Sequence, residues 1–193
     1  MKKPKKEEKP LSGAQDAYEW LQILIVALVT IILVFTFVGR ITPVVGESML
    51  PTLHEGDVML IRDIGYTDPQ PGDIVVLTKE FDAARGPIVK RIIAVEGQTV
   101  DIDYQTGTVY VDGEALDEPY LNEPMEEPWY EDLTSVTVPE GSVFVMGDNR
   151  NHSNDSRDVT LGTVDTRYLL GKAEFICFPF SLSLIHISEP TRP

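Results

Sequence analysis

Cysteine is all but missing from this chain: Cys177 is the single thiol among 193 residues. No intrachain disulfide can form, and a multi-cysteine zinc site is excluded. Histidine is nearly as scarce, with three residues, and no His, Asp and Glu grouping has the spacing of metal ligands. No metal and no cofactor is expected. Basic residues are missing from most of the length. From residue 41 onward ten Lys and Arg stand against 27 Asp and Glu, and the whole chain carries a net charge of −15. Phosphate contacts need clustered cations, so nucleic acid is not an expected partner. Internal repeats are absent, as is any clear helical period outside one segment near the start.

That segment, Leu21 to Val38, is apolar apart from Gln22, Thr30 and Thr36. Its 18 residues are just enough to cross a lipid bilayer as a helix, and Ile41 can extend it past Arg40. Trp20 and Arg40 suit the two interfaces. A cleaved secretory leader would need a shorter apolar core and small residues at the cut. Here the run ends Phe35-Thr36-Phe37-Val38-Gly39-Arg40, without an Ala-x-Ala pattern, which favours an uncleaved anchor. Lys2, Lys3, Lys5, Lys6 and Lys9 place the N-terminus in the cytoplasm by the positive-inside rule. Residues 1–19 then form a basic cytoplasmic tail, 20–41 a single transmembrane anchor in the cell membrane, and 42–181 an extracytoplasmic domain.

Beyond the anchor the pattern is short and β-like. Residues 57–62 and 73–78 are apolar runs bounded by Gly and Pro turns. Residues 99–103 and 108–112 alternate on either side of Gln105-Thr106-Gly107, the pattern of a hairpin. Residues 87–95, 141–146 and 171–178 complete the strands. The stretch EALDEPYLNEPMEEPWYEDL, 114–133, is acidic and proline-bearing and reads as a surface excursion. The expected fold class is all-β: a mostly antiparallel domain behind an N-terminal transmembrane helix.

Two residues carry the chemistry. Ser48 lies in Gly46-Glu47-Ser48-Met49-Leu50-Pro51-Thr52-Leu53, and Lys90 in Pro87-Ile88-Val89-Lys90-Arg91-Ile92-Ile93-Ala94-Val95. A serine is a weak nucleophile until a base sits within hydrogen-bond reach. His54 and His152 lie in polar turns and read as surface residues rather than bases. Lys90 is the better base, because period-two alternation sets it on a strand face with Ile88, Ile92 and Ala94. Apolar surroundings penalise the ammonium form. Bringing a lysine from about 10.4 to near 7 takes roughly 4–5 kcal/mol, within the range of buried lysines. The ordinary alternative is a lysine whose stem packs while its amine reaches water. Around Ser48, Pro51 restricts Leu50 to extended geometry and Gly46 permits a tight turn, so the hydroxyl can stand beside a backbone amide suited to an oxyanion.

The order of anchor, Gly-Glu-Ser-Met-Leu-Pro-Thr-Leu at 46–53, Ile-Val-Lys-Arg-Ile-Ile-Ala at 88–94 and Met-Gly-Asp-Asn-Arg-Asn-His-Ser-Asn-Asp-Ser-Arg at 146–157 closely resembles bacterial type I signal peptidases. The single anchor and short domain are similar to Gram-positive members. The resemblance implies a membrane-anchored serine endopeptidase that removes N-terminal signal peptides from exported preproteins. It implies Ser48 as nucleophile and Lys90 as general base, Ser153 helping to orient the amine, and Asp148, Asp155 and Arg157 supporting the site. It also implies extended substrates with small residues before the cut. Some members carry a hydroxyl residue two positions before the nucleophile; Gly46 stands there, which leaves the second oxyanion donor unassigned. Residues 182–193 have no counterpart in the family and resemble a translated sequencing-library adapter, so they read as a non-native tail. A repressor-type Ser-Lys autoprotease and a non-catalytic anchored β-domain that binds extracellular ligands are the alternatives.

Overall fold

The computed structural model describes residues 13–37, 40–63, 65–81, 86–126 and 133–178. The basic residues 1–12 and the foreign-looking residues 182–193 lie outside the described residues. The chain divides into two compact units, residues 1–38 and 39–193. The first contains one helix, α1 (Gly13–Phe37), about 37 Å long at 1.5 Å per residue. It is long and apolar enough to cross a membrane.

The second unit is built of strands: β1 (Arg40–Pro43), β2 (Val58–Arg62), β3 (Ile74–Leu77), β4 (Ile88–Val95), β5 (Thr99–Asp103), β6 (Thr108–Val111), β7 (Glu114–Ala115), β8 (Ser135–Thr137), β9 (Ser142–Met146), β10 (Val164–Asp165) and β11 (Leu169–Phe178). Seven form one sheet in the order β1-β2-β11-β3-β4-β9-β10, and four form another in the order β7-β6-β5-β8. Every pairing is antiparallel. The all-β fold class therefore holds, and the hairpin expected over 99–112 is β5–β6.

Side-chain alternation explains the layering. Ile74 and Val76 of β3 join Met49, Leu53, Met59 and Ile61 in one cluster, while Val75 and Leu77 join Ile92, Val145 and Val164 in another. The large sheet is thus covered on both faces, which is why β3 is buried at all four positions. A third cluster joins the sheets. Ile93, Ala94, Phe144 and Met146 of the large sheet meet Val100, Ile102 and Val109 of the small one. Ile93 and Ala94 share that cluster because β4 shifts register against β9 between Ile92 and Ala94. The simple alternation along this strand ends there.

Two departures from the sequence reading bear on the site. Arg40 and Ile41, read as the end of the anchor, lie in β1, where they pair with Ile61 and Leu60. The acidic stretch after β6 is not wholly a surface excursion. Its β7 extends the small sheet, and Met125 is buried in the third cluster. A few apolar residues suffice to pin such a stretch, although its composition is dominated by charge.

Candidate active site

Ser48 stands on a loop held down by its apolar neighbours. Met49 and Leu53 are one helical turn apart, linked by the Leu53 N–H to Met49 O bond at 2.9 Å, and both sink into the core. Gly46 adopts φ +88°, a left-handed conformation that other residues enter at a cost. With Met49 pointing inward, Ser48 is left only half-buried. A substrate can reach such a hydroxyl.

Lys90 comes from the middle of β4 and is 3% exposed. Its Nζ lies 2.6 Å from Ser48 Oγ. Burial pushes the amine pKa down to about 8. The Asp155 carboxylate acts against burial, Arg157 acts with it, and Asp148 acts against it. The two carboxylates explain why the value stays above the near-neutral one expected from apolar surroundings alone. At pH 7 about one amine in ten is neutral and able to accept the serine proton.

The segment after β9 supplies the polar surroundings. Asp155 is fully buried. Its Oδ2 accepts from Ser153 Oγ at 2.7 Å and from the Gly147 N–H at 2.9 Å, and its Oδ1 accepts from Arg157 Nε at 2.8 Å. Burial by itself would raise this carboxyl; the Arg157 charge, its hydrogen bonds and the Gly147 amide reverse that and hold it below the usual carboxylate range. Asp148 has a separate set of partners. It is bound at both oxygens by Arg91, at 2.8 and 2.6 Å, and Thr52 Oγ1 of the serine loop donates to it at 2.5 Å.

Backbone contacts join the two stretches. The Asn149 N–H donates to Ser48 O at 3.0 Å, and Asn149 Nδ2 donates to Glu47 O at 3.0 Å. Gly147 is the point of closest approach. A Cβ there would lie 2.3 Å from Ser153 Oγ and 2.5 Å from Ser48 O. Only hydrogen fits. Among the described residues no hydrogen bond uses the Ser48 N–H, which leaves it for a developing oxyanion.

All six residues singled out in the sequence therefore lie in one neighbourhood, Ser48 and Lys90 in direct contact and Ser153, Asp155 and Arg157 in one buried network. Asp148 belongs to a second network, through Arg91 and Thr52. His54 and His152 are exposed, and the basic group within hydrogen-bond reach of Ser48 Oγ is the Lys90 amine. Several contributors escaped the sequence reading. Arg91, Thr52, Asn149 and Arg150 were inside the quoted motifs but received no role. Glu118 and Tyr120 offered no local signal.

A family model described as "Signal peptidase, peptidase S26" matches residues 17–178. The chain belongs to the signal peptidase family. The family match takes in the dyad and both networks and stops short of 182–193. The probable signal peptidase I-1 of Synechocystis sp. (strain ATCC 27184 / PCC 6803 / Kazusa) is 41% identical over 84% of this chain and 83% of its own. The signal peptidase I of Bacillus licheniformis is 36% identical over 91% of this chain and 96% of its own. A signal peptidase I crystal structure from Enterococcus faecalis V583 aligns at 33% identity over 55% of this chain and 97% of that one, with a TM-score of 0.45, too low to bear on the fold.

Proposed function

We propose that this signal peptidase family member is a membrane-anchored serine endopeptidase that removes N-terminal signal peptides from exported preproteins, with Ser48 as nucleophile and Lys90 as general base. The observation that carries the reading is the 2.6 Å contact between a reachable hydroxyl and a buried amine whose pKa is lowered. In the neutral form, Nζ accepts the Ser48 proton as Oγ attacks the scissile carbonyl. The oxyanion forms beside the Ser48 N–H. The lysine then returns the proton to the leaving amine, and water, deprotonated by the same amine, releases the acyl group. Ser153 and Asp155 hold polar groups around the amine, Arg157 keeps Asp155 ionised, and Asp148 with Arg91 steadies the serine loop through Thr52.

The apolar part of α1, from Trp20 to Phe37, serves as the anchor, and the β-unit that begins with β1 at Arg40 is the extracytoplasmic domain, with the basic start in the cytoplasm. The chain from Gly39 to Ser48, which includes β1, spans at most about 30–36 Å, a length that would keep the reaction close to the lipid surface where a signal peptide emerges. In intact spheroplasts, added protease is expected to reach the β-domain. Protection of the domain with cleavage of residues 1–19 would reverse the orientation.

Substrates bind as extended strands with small side chains one and three positions before the cut. Purified protein is expected to cut a preprotein with alanine at both positions, at a site mapped by mass spectrometry. Bulky or charged replacements at either position should stop the cut. Equal cleavage of both substrates would remove the signal-peptidase reading while leaving a protease.

A further inference from the structure

The segment after β7 reads as surface in sequence, yet two of its side chains reach the loops around the dyad. Glu118 has a side chain 7% exposed and accepts from both Nη1, at 3.0 Å, and Nη2 of buried Arg150. The Arg91 guanidinium carbon stands 4.0 Å from the centre of the Tyr120 ring. The Tyr120 hydroxyl in turn donates to Glu118 Oε1 at 2.8 Å. One short stretch thus holds two arginines that border the site.

What those arginines do next matters. Arg150 Nε donates to Gly147 O at 3.1 Å, and Arg150 O accepts from Arg157 Nη2 at 2.7 Å. Arg91 clamps Asp148, which holds Thr52 of the serine loop. Both routes end on the Gly147–Asp148 pair, the backbone against which Ser48 O is packed. We propose that Glu118 and Tyr120 are positioning residues of the reaction, acting through Arg150 and Arg91 to fix the Gly147–Asp148 peptide and with it Ser48. The proposal rests on the Ser48–Lys90 reading above.

The physical reason is charge. A buried guanidinium deprived of its carboxylate is uncompensated and turns toward water. Arg150 would then release Gly147 O, and the contact surface under Ser48 would loosen. A displacement of about 1 Å in reacting groups costs up to about a hundredfold in rate. Neither Glu118 nor Tyr120 bonds to Ser48 or Lys90 among the described contacts, so turnover should fall while substrate affinity stays.

The test uses the full chain in detergent, with kcat and KM on a preprotein, melting curves, and active sites counted with an acylating serine reagent. Glu118→Gln is expected to lower kcat about 10- to 100-fold per folded molecule with KM within about twofold. Glu118→Asp should recover part of the loss. Arg150→Met combined with Glu118→Gln should cost no more than the worse single variant, because the two act as one unit. Tyr120→Leu should cost more than Tyr120→Phe, which keeps the ring under Arg91. A folded Glu118→Gln protein with wild-type kcat, or a loss that only tracks the unfolded fraction, overturns the proposal. A wild-type chain that neither cuts the preprotein nor is acylated at Ser48 overturns the dyad reading as well, so the two failures are distinguishable.

Discussion

Loop 44–53 reaches the site on apolar plugs, with Val44, Met49 and Leu53 at 3%, 1% and 0% exposure, whereas segment 146–158 reaches it with Asp148, Arg150, Asp155 and Arg157 all at 2% or less. The two means of attachment do different things. Apolar burial is strong but non-directional, so it can seat a loop without fixing a hydroxyl to a few tenths of an ångström. Buried ion pairs cost desolvation and add little net stability, but their hydrogen bonds have direction. The loop therefore borrows its alignment from the other stretch, through Asn149 on Ser48 O and Glu47 O and through Asp148 on Thr52. Stability comes chiefly from one side and geometry from the other.

The largest effect should come from removing Lys90, the proposed base. Lys90→Met is expected to fold and to lose turnover by about a thousandfold or more. Lys90→Arg should fail too, since guanidinium stays protonated. On the proposed mechanism the neutral amine is the working form, so activity should rise about tenfold per pH unit below 8 and level off above it. The stability sign is the opposite of an ordinary ion pair. Folding penalises the charged amine below pH 8, and the penalty fades as pH rises toward the unfolded value. Lys90→Met should therefore raise stability near pH 7, by at most about 3 kcal/mol. Turnover, circular dichroism and urea unfolding of the purified variants check all three. Substantial activity in a folded Lys90→Met protein would mean that another group activates Ser48.

Next in size is a wedge between the two stretches. Gly147→Ala forces a methyl group to 2.3 Å from Ser153 Oγ and 2.5 Å from Ser48 O. The serine carbonyl is backbone and cannot swing aside, so kcat should fall about a hundredfold. Near-wild-type turnover would show that the close approach is not needed for alignment.

The smallest effects sharpen the contrast itself. Asp155→Asn leaves Arg157 buried beside an uncharged partner and should cost about 3–5 kcal/mol, with lower turnover even in the folded fraction. Met49→Ala should cost about 2–5 kcal/mol by cavity formation, with turnover per folded molecule within a few-fold of wild type. Urea melts paired with active-site titration separate the two. If Met49→Ala lost as much turnover per folded molecule as Asp155→Asn, the division between seating and aligning would fail.

Ser48 and Lys90 were legible because each sits in a short local pattern: a proline-restricted turn beside Gly46, and a charged residue on a strand face otherwise made of Ile88, Ile92 and Ala94. The hairpin over 99–112 was legible for the same reason, since alternation and a glycine turn are local. Strand β1 was not, because four residues directly after a long apolar run look like its continuation. Arg91 received no role because its partners, Asp148 and Tyr120, come from distant parts of the chain. Glu118 gave no sign at all. An acidic residue among acidic residues is told apart only by the arginine it meets.

The sequence by itself determined the apolar helix, the alternating strands, the two reactive side chains and the motif order that resembles a family. Those features depend on neighbours within a few residues, where propensity and period act. Tertiary structure alone decided that Nζ and Oγ, 42 positions apart, stand at 2.6 Å. It also decided that Arg91 meets Asp148 across 57 positions, and that Asn149 holds a loop 102 positions earlier. The lowered pKa of Lys90 belongs to that second group, because desolvation and the opposing charges of Asp155, Arg157 and Asp148 act through space on whatever the fold brings near.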